Sequence, residues 1–229
     1  MMKMNKKVFL IVLIFLQSSI SVYGNGPGIL LPPIPKKIGM DIIEVIETRT
    51  GVRNFDGTNI SMNKIGTILW AGTGLILVEG SKSVHGYDVI SGATSKNRFA
   101  VPHAWGRSYL IAYIMLEQGA YRYDPLTHKL NYVTNKNMLD ECGANTTDAY
   151  GIILIAVDFK ELPKSAYQNN QFIAYLSAGN AIQNMCLAGT AMNVQMLIQT
   201  SMKKKFITKE LKLKEEQVPL VILPFGHAK

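Results

Sequence analysis

The chain has 229 residues, with 24 Lys and Arg against 16 Asp and Glu, a formal net charge of +8. That length allows one domain with a substantial core, and the basic excess is too small and too scattered to argue for nucleic acid. Two cysteines do not make a disulfide framework, and no CxxC or His/Cys/carboxylate spacing suggests a metal site.

The first 24 residues read as an export signal. Lys3, Lys6 and Lys7 precede an unbroken apolar run, Val8 to Leu16, and small Gly24 follows a polar stretch. The run is far shorter than the ~20 residues that span a bilayer. The expectation is a cleaved signal peptide, no stable membrane anchor, and a periplasmic or secreted product. Removing 24 residues leaves 205 and takes three lysines away, so the charge falls to +5. A disulfide between Cys142 and Cys186 is allowed in an oxidising compartment, but the apolar helical pattern around Cys186 favours a core role.

Residues 25–38 hold four prolines in thirteen residues (Asn25 to Lys37) and read as an extended arm. A helix follows, with Ile42, Ile43 and Ile46 on one face. Ser61 is placed as the N-cap of a second helix carrying Met62, Ile65, Ile68 and Leu69, which Gly72 and Gly74 end. Leu75 to Arg98 shows no period and reads as loop. Tyr109 to Glu117 is an apolar run read as a central strand, with helix as the alternative. Tyr121 and Tyr123 alternate with Leu130 and Tyr132 about Asp124-Pro125, which predicts a hairpin. Gly151 to Phe159 and Val218 to Gly226 are two more buried strands. Between them, Asn170 to Met192 forms the longest helix, rich in small residues such as Gly179 and Gly189; tight packing within one subunit and a subunit interface are both open. Lys203 to Lys205 reads as a solvated loop. Strands separated by helices give a layered α+β domain.

Five stretches, in order, are similar to the nitroreductase family of flavin enzymes: RTGVRNFDGTNISMNKIGTILWAGTG, RFAVPHAWGRSYLIAYIM, GAYRYDPLTHKL, SAGNAIQNMCLAGTAMNV and VPLVILPFGH. The third resembles the hairpin of the SagB-type branch. The resemblance covers residues 39–229, apart from the last two, and implies a mostly antiparallel central sheet flanked by helices. It further implies FMN held at the junction of a homodimer. Arg49 and Arg53 align with the family's phosphate-binding residues, a role that suits the paired donors of guanidinium. Gly51 stands where serine is usual, and Phe55 reads as packing.

Pro102, His103 and Ala104 align with the segment lining the flavin ring, and Gly106 stands at the family's asparagine. Bottom-up, His103 is either a proton carrier near pH 7 or a loop contact. Gln199, Thr200 and Ser201 align with the strand whose backbone amide faces the reactive flavin nitrogen, with Thr200 where glycine is usual. Lys229 is a candidate for the phosphate. The implied activity is ping-pong electron transfer through FMN to a nitroaromatic, a quinone or, in the SagB-type branch, an azoline ring in a peptide. Export away from NAD(P)H and the departures at Gly51, Gly106 and Thr200 favour the alternative, a degenerate binding or interaction protein on the same fold.

Overall fold

In the computed structural model, the structure describes residues 26–76, 98–102, 109–162 and 170–229. The proposed signal segment and His103, Ala104 and Gly106 lie outside the described residues. Seven strands form one sheet in the order β1-β6-β5-β4-β7-β9-β8. They are β1 (Ile29–Leu30), β4 (Leu110–Leu116), β5 (Gly119–Asp124), β6 (Lys129–Thr134), β7 (Gly151–Asp158), β8 (Gln195–Met196) and β9 (Gln217–Gly226). Every neighbouring pair is antiparallel. A small ladder pairs β2 (Leu75–Ile76) with β3 (Arg98–Phe99), so the ends of the stretch expected to be loop are paired.

The sheet is covered on both faces, which explains the continuous apolar runs of β4 and β7, buried at nearly every position. On one face pack α2 (Met62–Thr73) and α3 (Asn170–Ala191), burying Ile65, Ile68, Leu69, Ile182 and Met185 against Ile114, Ile153 and Leu223. On the other, α4 (Lys204–Glu210) and the segment around Met138 and Cys142 cover Ile111, Met115, Leu154 and Ile222. Cys142 and Cys186 therefore belong to different cores and are free, buried thiols. Burial pushes both thiols up, Cys186 to about 11 with the nearby Arg49 charge opposing the rise.

The hairpin has the expected register, Tyr121 opposite Tyr132 and Tyr123 opposite Leu130. Asp124 closes its turn, its carboxylate accepting from the Leu126 amide and the Thr127 hydroxyl. His128 follows with φ 49°. Its Nε2–H donates to the Pro32 carbonyl at 2.9 Å, so Nδ1 accepts from the Tyr123 hydroxyl at 2.9 Å. This clasp and the Leu31 amide bond to the His128 carbonyl hold the arm along β6. The proline-rich arm thus supplies the edge strand β1 through Ile29 and Leu30 alone.

Four expectations change. The helix α1 (Ile42–Thr48) is capped by Asp41 but buries only Val45, and Ile42, Ile43 and Ile46 are 54–59% exposed. Gly72 lies inside α2, and Gly74 alone is its C-cap. The lysine run is not loop: Lys203 is the N-cap of α4, with Lys204 and Lys205 in the first turn, all exposed. Ile207 and Leu211 give that helix its buried side, which lets three lysines point outward. The strand expected after α3 pairs as β8 only at Gln195 and Met196, with a single later bridge from Gln199 to Ile222.

Candidate functional site

The motif between Arg49 and Phe55 begins where α1 stops. The Arg49 amide makes the last helical bond, to the Val45 carbonyl at 3.0 Å, and the chain then leaves as an extended segment. Gly51 bridges Met196 of β8 in parallel. The Arg53 carbonyl accepts from the Thr147 amide at 2.9 Å, and the Phe55 amide donates to the Thr147 carbonyl at 3.0 Å. Phe55 is fully buried, as packing residues are, and bridges Ala228. The C-terminus closes the other side: Asp56 donates to the His227 carbonyl and Lys229 to the Asn54 carbonyl. The last residues are therefore tied down rather than frayed.

This weave leaves Arg49 half-buried beside Cys186 and Arg53 exposed. Among the described residues neither guanidinium takes part in an ion pair. A Cβ built on Gly51 would stand 3.6 Å from Leu197 Cδ1, an ordinary contact. Crowding therefore does not demand glycine there, and the usual serine would fit.

Through the Gly51 bridge, the same surface meets Leu197 to Ser201. The Leu197 amide donates to the Pro224 carbonyl, and Gln199 exchanges both main-chain bonds with Ile222. Thr200 and Ser201 are exposed, and among the described residues their N–H groups have no hydrogen-bond partner. Gln199 differs from the expectation of a cofactor contact: it is 8% exposed and its side-chain amide turns inward to loop carbonyls and an amide. Its inward turn is a packing decision that sequence spacing does not report.

Lys229 is placed near the motif, although its ammonium stands 3.9 Å from Asp148 in an exposed pair worth little. Pro102 is exposed beyond β3 and is the last described residue before Tyr109. The backbone therefore sets the Arg49–Arg53 segment beside Met196 through Gly51 and beside Lys229 through Asn54, with Thr200 and Ser201 four and five residues along the chain from Met196. It also adds His227, whose Nδ1 bonds the Asn193 carbonyl beside the same segment. Its position two residues before Lys229 was the only available signal.

A cavity of about 520 Å³ is lined by Asp56, Glu117, Asp140, Asp148, Asn59 and Tyr150. Four carboxylates make it hostile to phosphate. Asp56 itself is held below the usual carboxylate range, mainly by the Thr58 hydroxyl. The arginine motif, not this cavity, has the chemistry for an anionic group.

Residues 46–227 match the nitroreductase family. No curated protein matches the chain. Among solved structures, a protein from Ralstonia eutropha described as a nitroreductase is 18% identical, covering 90% of this chain and 92% of that one at a TM-score of 0.74. A chain of the E. coli microcin synthetase McbBCD complex with truncated pro-MccB17 bound is 14% identical over 99% of this chain and 95% of that one, TM-score 0.61. A Clostridium acetobutylicum protein described as an NADH oxidase is 14% identical over 82% and 88%, TM-score 0.53. With the family match spanning most of the sequence and the shared sheet and helices on both faces, the chain belongs to the nitroreductase family, whose members are in general FMN-dependent oxidoreductases.

Proposed function

We propose that the protein is an FMN-dependent oxidoreductase of the SagB-type branch, exported and homodimeric. One observation carries the cofactor reading. The Gly51–Met196 bridge sets two segments nearly 150 residues apart side by side, one with two cations and one with two unpartnered N–H groups. That donor set fits a phosphate joined to a polar aromatic ring. Arg49 and Arg53 hold the phosphate by charge-assisted hydrogen bonds, with Lys229 adding charge when it leaves Asp148. The Thr200 and Ser201 N–H groups are the donors for the ring, and the resemblance also assigns Pro102, His103, Ala104 and Gly106 to the ring. When bound, FMN supplies the two-electron redox chemistry, and the protein supplies position and electrostatics.

The homodimer reading is supported by an apolar surface. Ile42, Ile43 and Ile46 of α1 and Phe172, Tyr175 and Leu176 of α3 are all more than half exposed, which a monomer rarely tolerates in one region. Gly179 lies on the open side of α3, where an added Cβ meets nothing within 4 Å. The Gly119 to His128 hairpin motif supports the SagB-type branch, and with it a peptide azoline acceptor beside nitroaromatics and quinones. A degenerate binding protein remains the second reading, favoured by Thr200, a β-branched residue where glycine is usual.

The activity test is anaerobic stopped-flow on FMN-loaded protein. Dithionite should bleach the flavin rapidly, and a quinone or nitroaromatic added afterwards should restore its colour, the two half-reactions of a ping-pong cycle. NADH and NADPH should bleach it slowly, because Thr200 narrows the approach. Failure of every acceptor to restore the colour faster than buffer alone would leave the binding-protein reading.

A further inference from the structure

Gln199 lies between the two halves of the site without facing either. Its Oε1 accepts from the Asn145 amide at 2.9 Å, and its Nε2 donates to the Gly143 carbonyl at 2.8 Å and the Ser201 carbonyl at 2.6 Å. Both N–H groups and the oxygen of the side chain are therefore used. On one side it fixes Ser201, next to Thr200. On the other it fixes the loop 143–145, which runs into Thr147, and Thr147 is bonded to Arg53 and Phe55 at 2.9 and 3.0 Å. The loop has no slack at its start. Gly143 has φ +87°, its added Cβ would stand 3.1 Å from the Lys203 amide, and that amide donates to the Cys142 carbonyl at 2.8 Å.

From this chain of contacts we infer that Gln199 is a positioning residue that sets the spacing between the arginine clamp and the Thr200 amide, through the loop 143–147. The inference rests on the FMN reading for its purpose, but the coupling it describes belongs to the protein alone. A ligand that grips only one end of the site is indifferent to that spacing. A ligand that grips both ends is not. FMN and riboflavin differ by the phosphate alone, so their affinity ratio reports the spacing.

The test uses the full mature chain with Gln199→Leu and Gln199→Glu. Hydrogen exchange on the flavin-free protein comes first. In Gln199→Leu the amides of Asn145, Thr147 and Phe55 should all exchange about tenfold faster, while those of β4 and β7 keep their native rates. The FMN-to-riboflavin affinity ratio should fall about tenfold with it. Gln199→Glu keeps the acceptor for Asn145 but sets a carboxylate against two carbonyls. It should behave as Gln199→Leu at neutral pH and recover protection as acid restores an O–H donor. Faster exchange confined to Asn145, or no recovery of Gln199→Glu in acid, overturns the coupling. If the native protein binds no flavin, the cofactor reading fails, and the exchange data alone still decide whether Gln199 joins the two segments.

Discussion

Two glycines of α3 that look alike in the sequence should respond to the same substitution with opposite signs. A Cβ on Gly189 would stand 2.7 Å from the Val194 carbonyl oxygen and 2.8 Å from Met196 Cε. The carbonyl cannot yield easily, because the Val194 amide is itself bonded to the Gly189 carbonyl at 2.8 Å. Overpacking of this kind costs about 1–3 kcal/mol, against a helix-propensity gain of up to about 1 kcal/mol for alanine over glycine. Gly189→Ala should therefore lose up to about 2 kcal/mol after that gain. In the monomeric Leu176→Glu background, where no partner subunit lies against α3, Gly179→Ala meets nothing within 4 Å and should gain roughly 0.5–1 kcal/mol. For a domain of this size the pair should separate by about 1–12 °C in Tm. Urea and thermal unfolding at one protein concentration measure both. Equal stability of the two variants would refute the packing of α3 against β8.

Three further outcomes follow from the same geometry. Leu176→Glu, in the exposed apolar surface, should give monomers by light scattering while leaving the fold's circular dichroism unchanged; a persistent dimer would move the interface elsewhere. Burial holds the His128 imidazole below its ordinary value, so the unfolded chain takes up a proton first as pH falls through about 6.5. Stability is thus full above that pH and declines below it. His128→Gln, which keeps a donor for the Pro32 carbonyl, should lessen the decline in urea unfolding at pH 5 relative to pH 7.5, and an identical decline would show that other groups cause it. Intact mass of exported protein should place the first residue at Asn25, and a mass that includes Met1 to Gly24 would remove the signal peptide from the account.

The strands were readable because their burial on both faces leaves an unmistakable apolar run, as in Ile152 to Val157. The hairpin was readable because Asp124-Pro125 is turn chemistry flanked by alternating aromatics. What the pattern could not supply was direction. The isoleucines of α1 have the spacing of a core face, yet the core takes Val45, and no period distinguishes burial inside a chain from an apolar surface left open. Gly179 and Gly189 are the same residue in one helix, and only the path of Val194 to Met196 separates them. Leu75 and Phe99 pair across a ladder of two residues per strand, too short to carry a period. For the site, motif order picked out the Arg49–Phe55 segment, which the fold pairs with Met196 and with the C-terminus at Ala228 and Lys229. The inward turn of Gln199 and the nearness of His227 depend on hydrogen bonds between distant segments, which one sequence does not display.

The central claim is that Arg49 and Arg53 face Thr200 and Ser201 across one flavin. Titration of the purified protein with FMN and with riboflavin, followed by flavin fluorescence, tests it most directly. The account predicts saturation at one FMN per chain and weaker binding of riboflavin, which lacks the phosphate. Arg49→Ala and Arg53→Ala should each cost FMN roughly 1.5–3 kcal/mol, the scale of a hydrogen bond to a charged group, and leave riboflavin nearly unchanged. No saturable FMN binding, or equal affinity for the two flavins in the native protein and in both variants, would contradict it.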